Sequence, residues 1–108
     1  MKRGDRRPYL PFQFFEPDGV TPLDVSGATV INIVVRTKGA DPAAAPIFKS
    51  PVTMTDEANG IGEYKWAATD TAVAGNFEYE FEITWPNAEP QTIPQDSFFD
   101  LAIVADAG

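Results

Sequence analysis

The stretch NFEYEFEITW, Asn76 to Trp85, alternates almost without a break. Phe77, Tyr79, Phe81, Ile83 and Trp85 fall on one side of a period of two, and Glu78, Glu80, Glu82 and Thr84 on the other. Successive side chains of a β-strand point to opposite faces, so the pattern predicts a strand with one buried and one wet side. Three glutamates in step also raise chemistry: a sugar-cleaving carboxylate pair, a cation site, or the solvent face of a sheet. Residues two apart on a strand are about 6.7 Å apart, which falls within the roughly 6.5–9.5 Å of an inverting glycosidase pair. Glycosidase carboxylates flank a sugar from opposite sides, however, whereas these point the same way, with no long loops to build a cleft around them. A calcium ion takes ligands converging from a loop, and neither Asp18 nor Asp56-Glu57 sits in the dense Asp/Asn repetition of such a loop. The structural reading is favoured: the glutamates keep a strand soluble and discourage wrong edge pairing, while the rings fill a core.

Composition narrows the chemistry further. The 108 residues suit one domain and contain no histidine and no cysteine. Histidine-activated serine or cysteine nucleophiles, imidazole proton shuttles and thiolate or HExxH zinc sites are therefore unavailable. The hydroxyl of Ser26 has no histidine to activate it. No catalytic residue, metal ligand or cofactor-binding motif emerges, and the expectation is a non-enzyme without cofactor or metal. No segment approaches the about 18 apolar residues of a membrane span, and no apolar run of signal-peptide length follows the basic start.

The net charge is −8, from 8 basic and 16 acidic residues, which argues against nucleic acid as a partner. The charge is unevenly placed. Lys2, Arg3, Arg6 and Arg7 face only Asp5 in the opening residues. After Lys65 no base occurs, while Asp70, Glu78, Glu80, Glu82, Glu89, Asp96, Asp100 and Asp106 follow. A basic arm on an acidic body points to contact with something acidic, a neighbouring copy included, or else to a solvated tail. Arg3-Gly4-Asp5 spells the integrin-recognition tripeptide, which is too short to carry an adhesion reading.

Working outward, a period of two recurs along nearly the whole chain. Tyr9 to Phe15 reads as a strand that Pro8 and Pro11 push to a sheet edge. EPDG, Glu16 to Gly19, is a turn. Ala28 to Arg36 is the most β-branched run and a predicted central strand, with Ile31 and Ile33 in the core. Thr37 to Pro46 is a loop, Ile47 to Thr55 a short or bulged edge segment around Pro51, and Asn59-Gly60 the turn of a hairpin. Glu63 to Ala67 sets Tyr64 and Trp66 on the core side. Ala68 to Gly75 admits one helical turn. Pro86 to Pro90 is a connection, and Ser97 to Val104 is a closing strand with Phe99, Leu101 and Ile103 on one face. The expected fold is all-β: an immunoglobulin-like antiparallel sandwich of about seven strands spanning residues 9–108, preceded by a basic arm, residues 1–8. A small closed barrel is the alternative. The core is expected to hold Ile31, Ile33, Tyr64, Trp66, Phe77, Tyr79, Phe81 and Ile83.

The order of landmarks resembles a known family. Gly4-Asp5, Pro8, Asp18-Gly19, then PLDVSGATV (Pro22 to Val30) and GEYKWAATDTAVAGNFEYEFEITW (Gly62 to Trp85) are similar to the immunoglobulin-like N-terminal domain of phage baseplate upper proteins. Ile93-Pro94 and Ser97 to Val104 stand in the family's last-strand position. Phe77 replaces a frequent tyrosine, and the MKRGDRRP start is unusually basic. The resemblance implies a non-enzymatic virion component, a tail or baseplate adaptor or ring subunit assembled in the host bacterial cytoplasm. Its expected partners are other phage virion proteins in a symmetric multi-copy assembly, with no nucleic acid and no membrane. The chain's end just after the last strand favours a stand-alone subunit. Candidate interface residues are Lys2, Arg3, Arg6, Arg7 and Tyr9, in an arm expected to order on a neighbour and to be dispensable for folding. The alternatives are a capsid decoration protein, or a carbohydrate-binding or adhesion module using Tyr64, Trp66 or Trp85.

Overall fold

A computed structural model of the chain describes residues 1–7, 9–41, 45–67, 69–93 and 99–103. Eight strands are described: β1 (Leu10–Gln13), β2 (Val30–Thr37), β3 (Phe48–Pro51), β4 (Thr53–Asp56), β5 (Ile61–Tyr64), β6 (Gly75–Trp85), β7 (Glu89–Ile93) and β8 (Phe99–Ile103). They form a three-stranded sheet, β1-β5-β4, and a five-stranded sheet, β3-β2-β6-β7, with β8 also paired to β6. Every pairing is antiparallel. The chain is an all-β antiparallel sandwich. With β1, β5 and β4 in the places of strands B, E and D, and β3, β2, β6 and β7/β8 in those of C′, C, F and G, the order is immunoglobulin-like.

The opening stretch is the spine of the larger sheet. β6 pairs with β2 along eight residues, setting Ile31 across from Ile83, Ile33 across from Phe81 and Val35 across from Tyr79. Because these partners share a face, β-branched chains of β2 and rings of β6 form one inward surface. On the other edge of β6, Phe81 to Trp85 pair with β7 and Gly75 to Tyr79 pair with β8. β7 and β8 therefore lie end to end along a single edge. Phe12 of β1 and Phe14 just beyond it contribute rings that sit 4.6 and 5.1 Å from that of Phe81. Gly62 makes room for this stack: a Cβ there would come within 2.7 Å of the Phe12 ring and 2.6 Å of the Thr53 carbonyl oxygen. Ile33, Phe81, Ile83, Tyr64, Trp66, Ile31 and Phe77 are buried, and Tyr79 is half-buried against them.

Three segments differ from the sequence-based reading. Ile47 to Thr55 is not one edge segment: β3 pairs with β2 in one sheet and β4 pairs with β5 in the other. The chain changes sheets at Val52, whose N–H donates to the Ile31 carbonyl, 3.0 Å. Proline has no N–H for a ladder, so Pro51 is a natural place to leave one. Pro86 to Pro90 is not all connection, since Glu89 and Pro90 begin β7 and the turn is Pro86–Ala88. The described part of Ala68 to Gly75 holds turns and bends but no helix. Pro8, at the head of the expected first strand, and Ser97, Phe98 and Val104 of the closing one lie outside the described residues. β1 does occupy a sheet edge.

Candidate functional site

The outward face of β6 is a lattice of ion pairs. Arg36 Nη1 donates to Glu80 Oε1 at 2.8 Å, with the two side chains 14% and 16% exposed. Lys49 Nζ reaches Glu82 at 2.9 Å, and Lys38 reaches Asp100 at 3.1 Å. Glu78 stands across from Arg36 on one side and Asp100 on the other. By register Val34 lies on this face, across from both Glu80 and Lys49, yet it is only 2% exposed. The stems of the charged chains close over it. The three glutamates are thus half-buried rather than freely solvated. Two of them accept from cations, an arrangement suited to holding strands in register.

At one end of the sandwich the Tyr64 hydroxyl donates to Asp70 Oδ2, which also accepts from the Ala67 N–H at 2.8 Å. Tyr64 springs from β5, and its ring stacks on Phe48 of β3 at 6.1 Å, so it ties the two sheets together. Burial, reinforced by the bond to Asp70, pushes the Tyr64 phenol up to about 12. Beside this corner opens an apolar cavity of about 200 Å³, lined by residues including Val35, Phe48, Val73 and Phe77. Its carboxylate, Asp70, is already engaged by Tyr64.

Other polar residues of interest brace turns. Asp18 accepts from the N–H groups of Val20 and Thr21 at 2.8 and 2.9 Å and from the Thr21 hydroxyl at 2.6 Å. The Thr21 hydroxyl, followed by the two backbone donors, holds its carboxyl below the usual range. Ser26 donates its hydroxyl and its N–H to Asp24, whose carboxyl is lowered chiefly by that hydroxyl. Among the described residues, no group of three or more His, Cys, Asp or Glu side chains is placed to hold a metal ion. Tyr64 and Trp66 are 2% and 3% exposed and offer no platform for a sugar ring. Trp85 is half-buried, with its indole N–H on Gln91 at 2.9 Å.

The basic arm is docked on the body. The Met1 ammonium donates to the Ala102 carbonyl of β8 at 3.3 Å, and its side chain packs against the core. The Gly4 N–H donates to the Thr71 carbonyl, and the Thr71 hydroxyl returns a bond to the Asp5 carbonyl, both at 2.7 Å. Thr71 is fully buried. Arg6 Nε donates to the Trp66 carbonyl at 3.2 Å. An arm ordered only by a neighbour, and dispensable for the fold, does not describe these residues: removing it strips a buried hydroxyl of its acceptor.

Docking the arm assembles a cationic cleft. Arg6, Arg7, Tyr9, Lys65 and Trp66 line a hollow of about 370 Å³. The Arg7 guanidinium carbon lies 5.1 Å from the centre of the Tyr9 ring and Lys65 Nζ 5.8 Å from it. Tyr9 and Lys65 flank the Leu10–Tyr64 pair and so lie on the outward side of the smaller sheet. Arg7 and Lys65 are exposed and, among the described residues, neither is in an ion pair. The structure therefore brings Arg6, Arg7 and Tyr9 of the expected interface together and adds Lys65. Lys2 and Arg3 are exposed on the same arm. That Lys65 is the last base in the chain was a signal in plain view. No protein-family model matches the chain, and no curated protein matches it.

Proposed function

We propose that the chain is a non-enzymatic structural subunit of a tailed-phage virion, an immunoglobulin-like adaptor or ring component of the tail or baseplate. The observation that carries the reading is where the resembling segments fall. PLDVSGATV leads directly into β2, and GEYKWAATDTAVAGNFEYEFEITW takes in all of β5 but Ile61, the Tyr64–Asp70 corner and β6, the frame of both sheets. The paired carboxylates of β6 and the turn-bracing roles of Asp18, Asp24 and Ser26 fit a body whose polar groups serve architecture. The cleft at the arm supplies a contact surface for an acidic neighbour.

Mass spectrometry of purified virions, with copy number, tests the proposal. A multiple of three or six near about a dozen copies is expected of a tail ring. Hundreds of copies would mark a capsid decoration protein instead, and absence from particles would overturn the virion reading.

A further inference from the structure

Sorting the eight basic residues by place leaves a polar molecule. Arg36, Lys38 and Lys49 are neutralised on the larger sheet by Glu80, Asp100 and Glu82. The other five, Lys2, Arg3, Arg6, Arg7 and Lys65, belong to the arm and to the adjacent end of β5. The opposite end of the smaller sheet is as one-sided. Residues 8–35 and 50–64 contain no lysine or arginine, and they carry Glu16, Asp18, Asp24, Asp56, Glu57 and Glu63. Glu16, Asp18, Asp24 and Glu57 belong to the turns and loops at that end, Asp56 closes β4 beside them, and Glu63 lies within β5. The loops are fastened together: the Phe14 N–H donates to the Gly60 carbonyl at 2.9 Å and the Val25 N–H to the Glu57 carbonyl at 3.0 Å. Glu16, Asp18, Asp24, Asp56 and Glu57 are all exposed.

The β1–β5 ladder, four pairs and roughly 10 Å long, separates the two poles. That exceeds the about 8 Å Debye length at physiological salt, so the poles do not neutralise each other within one molecule. At the basic pole Arg7 and Lys65 are held over one aromatic ring without a carboxylate, in a chain with twice as many acids as bases. Charges arranged this way repel when like poles meet and attract when unlike poles meet.

We propose that the Arg7–Tyr9–Lys65 cleft is a self-association site that takes the acidic pole of a second copy, centred on Glu16 and Glu57. Contact then runs from one pole to the other, giving a closed ring or an open chain when the two surfaces differ. The inference rests on the multi-copy part of the reading above but not on the virion. Failure of the virion reading would show in particle inventories, whereas failure here shows in solution.

Sedimentation velocity on the full chain is the test, with a matched pair of charge reversals. Arg7→Glu/Lys65→Glu reverses the charge over the Tyr9 ring at the basic pole, and Glu16→Lys/Glu57→Lys reverses the centre of the acidic pole. All four positions are exposed, and circular-dichroism melting checks that each variant is folded. The unaltered chain is expected to associate at about 20 mM salt and to weaken tenfold or more by about 500 mM. Each variant alone should associate about 100-fold more weakly, and an equimolar mixture of the two should associate again. A monomeric parent chain at low salt would overturn the proposal, even if the cleft then bound some other acidic peptide. So would variants that associate like the parent, or a mixture that stays monomeric.

Discussion

The two sheets present opposite solutions to carrying charge on an outer surface. On the larger one acids and bases interleave, so that Arg36–Glu80 and Lys49–Glu82 cancel locally and shelter Val34. Across the smaller one they are sorted, with bases gathered at the Tyr9 end and acids at the loops around Glu57. Interleaved charge stiffens a sheet and leaves little field for a partner, whereas sorted charge does little for the fold and projects a field outward. The difference teaches where to look for function in a body without an obvious cleft: at charge that folding leaves unbalanced.

The contrast can be broken outright by removing the support both surfaces share. Phe81→Ala deletes the ring that Phe12 and Phe14 pack against and is expected to cost about 3–5 kcal/mol, read as a lowered urea midpoint. Loss of less than about 1 kcal/mol would mean the sheets are held by something other than this stack.

Smaller changes sharpen the comparison. Glu80→Gln strands a largely buried guanidinium and should cost about 1–3 kcal/mol. Lys38→Ala breaks a pair whose side chains are 54% and 74% exposed and should cost under about 0.5 kcal/mol. Equal losses at the two sites would refute the claim that burial makes the β6 lattice structural. Alkaline pH tests the end where the sheets are tied. The raised phenol of Tyr64 holds its proton where an unfolded tyrosine, near 10, has lost it. Its contribution is fully present below pH 10 and is lost as pH rises through about 12. Half-buried Tyr79, raised by burial, acts with the same sign. Urea midpoints should therefore fall steadily above pH 10, and a flat profile there would contradict a protonated Tyr64 bound to Asp70.

Much of the frame was legible because it is written in side-chain alternation. β6, β2 and the Tyr64–Trp66 pair follow a period of two over runs long enough to read. β7 was not, since EPQTI is polar, opens beside a proline and borrows its strand character from the long edge of β6. The crossover at Val52 was invisible for a different reason. β3 and β4 form one nearly continuous segment, and a change of layer leaves no periodic mark. The docking of the arm depends on main-chain groups meeting Thr71, which composition cannot signal. At the candidate site the bases of the arm could be read directly. Their gathering with Lys65 over one ring, and the concentration of acids at the far loops, exist only after folding.

The passage from β3 to β4 has a mechanical meaning. A continuous piece of chain is stitched into both layers, with its seam bonded to the main-chain carbonyl of Ile31, a core residue. Neither layer can peel away while the other survives, because the same few residues would have to let go of both. Such a domain should yield all at once or not at all.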